Sequence, residues 1–151
     1  KVMLAHVATN QAMIAVKNIL GQESKINYRV IPSCIYTNPE LASVGLTEEE
    51  AKEKYRTIKI GKFVFDANGK ARTAGKTEGF VKIICDTKYN EILGVHIVGH
   101  HATELIAEAT LAIKMECTAE ELADTIHAHP TLAEAVMEAS DTVLGFAIHS
   151  L

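Results

Sequence analysis

Tryptophan is absent and aromatic residues make up only 5% of the chain, so any core has to be packed from aliphatic side chains. The three cysteines, Cys34, Cys85 and Cys117, lie too far apart to form a CxxC or CxxxxC pair. An odd number of thiols, two of them in apolar stretches, fits a disulfide framework poorly. It reads as buried free thiols in a reducing compartment, with the cytoplasm as the expected location. The glycines build no GxGxxG turn between a strand and a helix, so no dinucleotide-binding loop is expected on this chain. The stretch Gly94–Gly99 is too poor in glycine for a phosphate loop and runs into two histidines. No apolar run reaches the roughly 20 residues of a membrane-spanning helix, and no signal-peptide pattern is visible. Nor is there an excess of positive charge. A formal net charge of −4 argues against nucleic acid or an anionic membrane as the main partner.

What remains is an ordinary globular composition, 48% hydrophobic and 23% charged over 151 residues, enough for one domain with its own core. The chain opens on Lys1 rather than Met and reads as a piece of something longer.

Leu4, Val7, Ala12, Ala15, Val16 and Ile19 recur at mixed three- and four-residue spacings, which predicts a helix over 3–20 with Gly21 past its end. The polar break Gln22–Lys25 reads as a linker. Residues 1–25 are therefore expected to belong to a neighbouring domain, and 26–151 to form the domain proper. Arg29 to Thr37 reads as extended, with Pro32 and Pro39 near its margins. Thr47 and Glu50 form a capping box that opens a short helix to about Lys54. Residues 57–65 alternate as a strand, but the apolar set changes parity near Gly61, which predicts a bulge there. Asp66 to Lys76 reads as a turn-rich connection.

Phe80–Cys85 and Ile92–Val98 carry the strongest strand signals and flank a loop of hairpin length. The apolar residues of Phe80–Cys85 fall on both faces, which predicts a central strand covered by helices on one face. Leu105, Ile106, Ala109, Ala112 and Ile113 make one stripe of a helix over 102–115, with Glu104 and Glu108 on its other side. Thr118 and Glu121 form a second capping box, and a last helix is expected to start near Thr131. Strands in the middle and helices after them predict an α+β fold with a mostly antiparallel sheet flanked by helices.

The chemistry concentrates in His127-Ala-His129-Pro130-Thr131-Leu-Ala-Glu134. Histidine suits proton transfer near neutral pH, because an unperturbed imidazole titrates at about 6.5. A carboxylate on one ring nitrogen fixes the tautomer and leaves the other nitrogen to act as base. His129 precedes a helix start, Glu134 lies in its first turns, and Pro130 stiffens the joint between them. Thr131 to Glu134 is also a third T-x-x-E box, so Glu134 reads equally as a helix cap. Spacing leaves both readings open. His96, His100 and His101 cluster at a strand end, but only Glu104 lies at matching ligand spacing, so no metal site is expected there. His127 reads as a packed or hydrogen-bonded neighbour.

The string HAHPTLAEA closely resembles the carboxyl-terminal signature of the dihydrolipoamide dehydrogenases. IPSCIYTNPELASVG at 31–45, TEGFVKII at 77–84 and ILGVHIVGHHATELI at 92–106 resemble the same family's interface domain, in the same order. MLAHVA near the front resembles the helix that closes over the flavin. The glutathione and mercuric reductases share the HPT core, while His127-Ala128 and the Leu-Ala-Glu ending are closer to the lipoamide branch. The resemblance implies an interface domain over 26–151, preceded by the last helix of an FAD-binding domain. It implies that His129 accepts the thiol proton of dihydrolipoamide, that Glu134 orients it, and that the pair serves the active site of the other subunit of a homodimer. Met3, Leu4, Ala5 and His6 would touch FAD, NAD would be the electron acceptor, and the lipoyl domain of a multienzyme complex would be the partner. The His129–Pro130 bond is expected to be cis, as in relatives. Asn38 departs from the His common at its place in the family. Without a redox CxxxxC pair the chain is expected to be inactive alone. A free-standing dimerisation or binding module is the alternative from a different class.

Overall fold

The structure, a computed structural model, describes residues 3–146. Five strands, β1 Ser33–Ile35, β2 Glu40–Gly45, β3 Ile58–Val64, β4 Phe80–Asp86 and β5 Ile92–Gly99, form one antiparallel sheet in the order β1-β2-β5-β4-β3. Six helices accompany them: α1 Ala5–Ile19, α2 Glu48–Lys54, α3 Gly69–Ala74, α4 Ala102–Lys114, α5 Ala119–Asp124 and α6 Glu134–Leu144. The result is the expected α+β sheet flanked by helices.

The helix starts follow local chemistry. Thr47 accepts from the Glu50 amide while Glu50 accepts from the Thr47 amide at 2.9 Å, which opens α2. Thr118 and Glu121 do the same for α5. Each box satisfies amide donors that the first turn leaves without partners. Between β4 and β5, Asp86 accepts from the amides of Tyr89 and Glu91, each at 3.0 Å, and Asn90 takes a left-handed φ of 56°. That closes the hairpin without glycine.

The core lies between the sheet and α4, α5 and α6. Val81, Ile83, Val95 and Ile97 of the central strands meet Ile106, Ala109 and Ile113 of α4 and Ala135, Val136 and Ala139 of α6. Alanines on the helices let their backbones approach the sheet, and each buried Val or Ile contributes about 1.5–3 kcal/mol. The opposite face is also covered, against the expectation of helices on one face alone. There Ile84 and Leu93 pack with Leu46 and with Ala51 of α2 in a second, smaller cluster. The two-sided apolarity of β4 therefore reflects two covered faces. Cys85 lies in the main core, and burial, then the charges of Asp86 and Glu120, push its thiol up to about 12. All three cysteines are free.

Four expectations need correction. Residues 40–45 gave no strand signal, yet β2 pairs with β5 from Glu40–Gly99 to Gly45–Gly94. Its Ala, Ser and Gly have little strand preference of their own, and a non-local neighbour supplies the pairing. No bulge occurs at Gly61: β3 pairs with β4 without a break from Ile58–Asp86 to Val64–Phe80. Gly61 instead faces α6, where a Cβ would fall 2.0 Å from the Ala139 carbonyl oxygen and 2.8 Å from the Val143 amide nitrogen. Ile60 simply points outward, and the irregularity lies between Ile84 and Cys85 in the pairing of β4 with β5. The connection after Asp66 contains α3, capped by Asn68. Finally, α6 starts at Glu134 rather than near Thr131.

Helix α1 differs from the others. Val7 is its one buried residue, while Met13, Val16 and Ile19 are exposed. Among the described residues no helix is long and apolar enough to cross a membrane.

Candidate functional site

The loop between α5 and α6 carries the candidate residues His129 and Glu134, and its backbone is held from several sides. The His129–Pro130 bond is cis, as is Asn38–Pro39, which the sequence did not signal. Thr131 turns its hydroxyl back to the Ala128 carbonyl at 2.7 Å, so it does not cap α6. The third T-x-x-E box is half formed. Glu134 accepts from the Thr131 amide through Oε2 at 2.7 Å and meets Nδ1 of His129 through Oε1 at 2.8 Å. One carboxylate therefore acts both as a local backbone acceptor and as the partner of the ring.

The groups around Glu134 favour its ionised form. Burial alone would raise the Glu134 carboxyl, but the Thr131 amide, the His129 hydrogen bond and the charges of His129 and His127 outweigh it and lower its pKa. An ionised carboxylate only accepts, so Nδ1 of His129 donates to it, while Nε2 makes no hydrogen bond among the described contacts. The ring is 78% exposed while Glu134 is 19% exposed. The carboxylate of the pair is sheltered, and the ring is the exposed partner. A cavity of about 390 Å³ does lie in the chain, between α1 and residues 24–32, but none of residues 125–134 lines it.

Two residues of this loop's support were missed in the sequence. Glu108, placed on the polar side of α4, meets Nε2 of His127 at 2.8 Å, and Nδ1 of His127 donates to the Thr125 carbonyl at 2.8 Å. Asn68, read as part of a turn, is buried and donates to the Thr131 carbonyl at 3.0 Å while its Oδ1 accepts from Ala71. The Asn68-Gly69 pair suggested only a turn, and no local pattern links either residue to position 127 or 131.

The flavin positions expected by resemblance lie together at the start of α1. Met3 is almost fully exposed, and Leu4 is the N-cap residue but supplies no side-chain cap. His6 donates through Nε2 to the Pro32 carbonyl at 3.0 Å, tying α1 to the segment before β1. The helix start has no side-chain cap, and its first turn contains no acidic residue.

The remaining histidines separate. His96 donates to the Leu46 carbonyl at 2.9 Å from within β5, so Gly94–Gly99 is a strand. The rings of His100 and His101 lie 3.8 Å apart, tilted by 41°. Glu40, expected nowhere in the site, accepts from the amide and hydroxyl of Thr103 and so fixes the start of α4. Asn38 lies beside Pro39, Lys76 and His100 in a small polar hollow.

A five-stranded antiparallel sheet backed by helices, with an outward-facing His–Glu pair on a proline loop, defines an interface domain of a disulfide oxidoreductase. The family model for the pyridine nucleotide-disulphide oxidoreductase dimerisation domain matches residues 31–140, and the chain belongs to that family. Its curated relatives are dihydrolipoyl dehydrogenases. That of Bacillus subtilis is 49% identical over 147 residues, which cover 97% of this chain and 31% of the relative. The solved LpdA of Mycobacterium tuberculosis superposes with a TM-score of 0.86 at 30% identity, covering 92% of this chain and 30% of that one. The HOCl-induced flavoprotein disulfide reductase of Escherichia coli, solved as a Cu(II) complex, gives 0.84 at 25% identity over 90% of this chain and 31% of that one. The chain thus spans less than a third of the length of these relatives.

Proposed function

We propose that this chain is the dimerisation part of a dihydrolipoyl dehydrogenase, in which His129 is the base that takes the thiol proton of dihydrolipoamide and Glu134 orients it. The observation that carries this reading is the 2.8 Å contact between a sheltered Glu134 and one nitrogen of the exposed His129 ring. With Nδ1 engaged by the lowered carboxyl of Glu134, Nε2 of the exposed ring is left available to a partner. A base aimed out of its own domain is suited to a site completed by another surface, as a dimerisation domain provides.

In the intact enzyme the S–H proton of the dithiol passes to Nε2 of His129, and the sulfur gains the nucleophilicity of a thiolate. Glu134 stabilises the imidazolium that results and returns the ring to the same tautomer when the proton leaves. When bound, FAD and a redox disulfide outside this chain would supply the electron transfer to NAD. On this chain the residues suited to FAD are Met3, Leu4, Ala5 and His6, where uncapped helix amides and an exposed apolar side chain offer donors and contact. The exposed apolar side of α1 supports assigning residues 1–25 to the FAD-binding domain and 26–151 to the interface domain. The lipoyl domain of a 2-oxo acid dehydrogenase or glycine cleavage complex would deliver the dithiol. The cytoplasm is the proposed location.

Glu134→Gln in the full-length enzyme tests the pair. Turnover of dihydrolipoamide is expected to fall roughly 10- to 100-fold, as for a misoriented catalytic group. The pH dependence of stability has a definite sign. The folded pKa of Glu134 is depressed, so its stabilisation is present above the ordinary carboxylate range and is lost as pH falls through the folded value. The melting-temperature gap between parent and variant should therefore be widest near neutral pH and close in acid. A lower melting temperature with unchanged turnover would make Glu134 a cap and nothing more.

A further inference from the structure

The loop that presents His129 is braced by a second histidine–carboxylate pair whose role the first pair does not explain. His127 is two positions away, and its side chain is only 5% exposed, whereas that of His129 is 78% exposed. Both of its nitrogens are occupied by oxygens. Nδ1 donates to the Thr125 carbonyl, and Nε2 shares one proton with Oε1 of Glu108 on α4. Neither nitrogen is free to serve as a base, so the ring has no evident task in proton transfer.

Its position gives it a mechanical one. The Thr125 bond closes the turn at the end of α5, and the Glu108 bond fastens that turn to the middle of α4, a helix packed against β2 and β5. Beyond His129 the loop is fixed again, by Asn68 at the Thr131 carbonyl and by Glu134 at the Thr131 amide. His129 thus sits between two anchors, His127 before it and Thr131 after it. A base has to be held within about half an ångström of its productive place, and a shift of about 1 Å can lower a rate roughly 100-fold. A solvated, exposed ring gets little of that precision from packing of its own.

We propose that His127 and Glu108 form a strut that positions His129, and that Glu108 is a positioning residue for the reaction although it touches neither substrate nor His129. This rests on the reading of His129 as the base. His127 also contributes to the lowered pKa of Glu134, which ties the strut to the first pair electrostatically as well as through the backbone.

The test is a double-mutant cycle in the full-length flavoenzyme, with Glu108→Ala, Glu108→Gln and His129→Gln measured singly and Glu108→Ala combined with His129→Gln. Two turnovers are followed: dihydrolipoamide oxidation, and NADH oxidation by an artificial electron acceptor that needs no thiol base. Glu108→Ala should lower kcat for the dithiol about tenfold or more, with the NADH-to-acceptor rate unchanged. Glu108→Gln keeps an oxygen for the imidazole and should recover most of the loss. In the His129→Gln background Glu108→Ala should have no further effect on dithiol turnover, because the ring it positions is gone. The strut is overturned if Glu108→Ala lowers both turnovers alike, lowers only the melting temperature, or adds its full effect to that of His129→Gln. Near-normal dithiol turnover in His129→Gln alone would instead remove the base, a distinct failure.

Discussion

His129→Gln in the full-length enzyme is expected to lower dihydrolipoamide turnover by about 10²–10⁴-fold, the usual contribution of a positioned acid–base group. Flavin content and melting temperature should hardly change. The ring is exposed and makes its hydrogen bond to Glu134 alone among the described contacts, so its loss leaves no cavity. Glu134 keeps the Thr131 amide as a partner in the variant, which limits the number of unsatisfied groups to one carboxylate oxygen near solvent. Steady-state kinetics beside a thermal melt separate the outcomes. A large loss of rate on an unchanged melting curve marks a chemical role. Retention of rate would leave His129 as an exposed loop residue.

The largest effect on stability is expected at Gly61. A Cβ there would lie 2.0 Å from the Ala139 carbonyl oxygen, 2.6 Å from Cγ2 of Val143 and 2.8 Å from the Val143 amide nitrogen. Two of those atoms are helix backbone, which cannot rotate away. Gly61→Val should therefore push α6 off β3 and destabilise the domain by at least about 3 kcal/mol, the upper end of overpacking effects. The melting temperature should drop by roughly 10 °C or more. Gly69→Ala is the control, since nothing lies within 4 Å of a Cβ at that position, and it should melt like the parent. Because α6 begins at Glu134, the Gly61 variant should also lose dithiol turnover if it still folds. A parent-like melt for Gly61→Val would mean that α6 does not lie against β3.

These two sites show what was legible in the sequence. His129 and Glu134 are five positions apart, so a loop and the first turn of a helix suffice to bring them together. The capping boxes at 47–50 and 118–121 are equally local, and both helix starts were correct. Strands β4 and β5 announced themselves because both are rich in Val and Ile. What failed was non-local. Strand β2 is made by its pairing with β5, some fifty residues later, and its own residues say little. Gly61 looked like a bulge because its actual neighbour, α6, lies far along the chain. Glu108 and Asn68 reach the loop at 127–131 across 19 and 63 positions, and no spacing rule connects them to it. The shift of the last helix start from Thr131 to Glu134 has a chemical cause. Thr131 gives its hydroxyl to Ala128, so it is spent on the loop rather than on the helix.

Whether His129 works across the dimer can be read from one hybrid. One protomer carries His129→Gln, and its partner carries serine in place of a redox cysteine; each homodimer should be nearly inactive. If the imidazole serves the opposite protomer, the hybrid retains one complete site and should recover about half of the parental dithiol turnover, as twofold symmetry requires. A hybrid no more active than either inactive parent would place the histidine and the sulfur it deprotonates on the same chain.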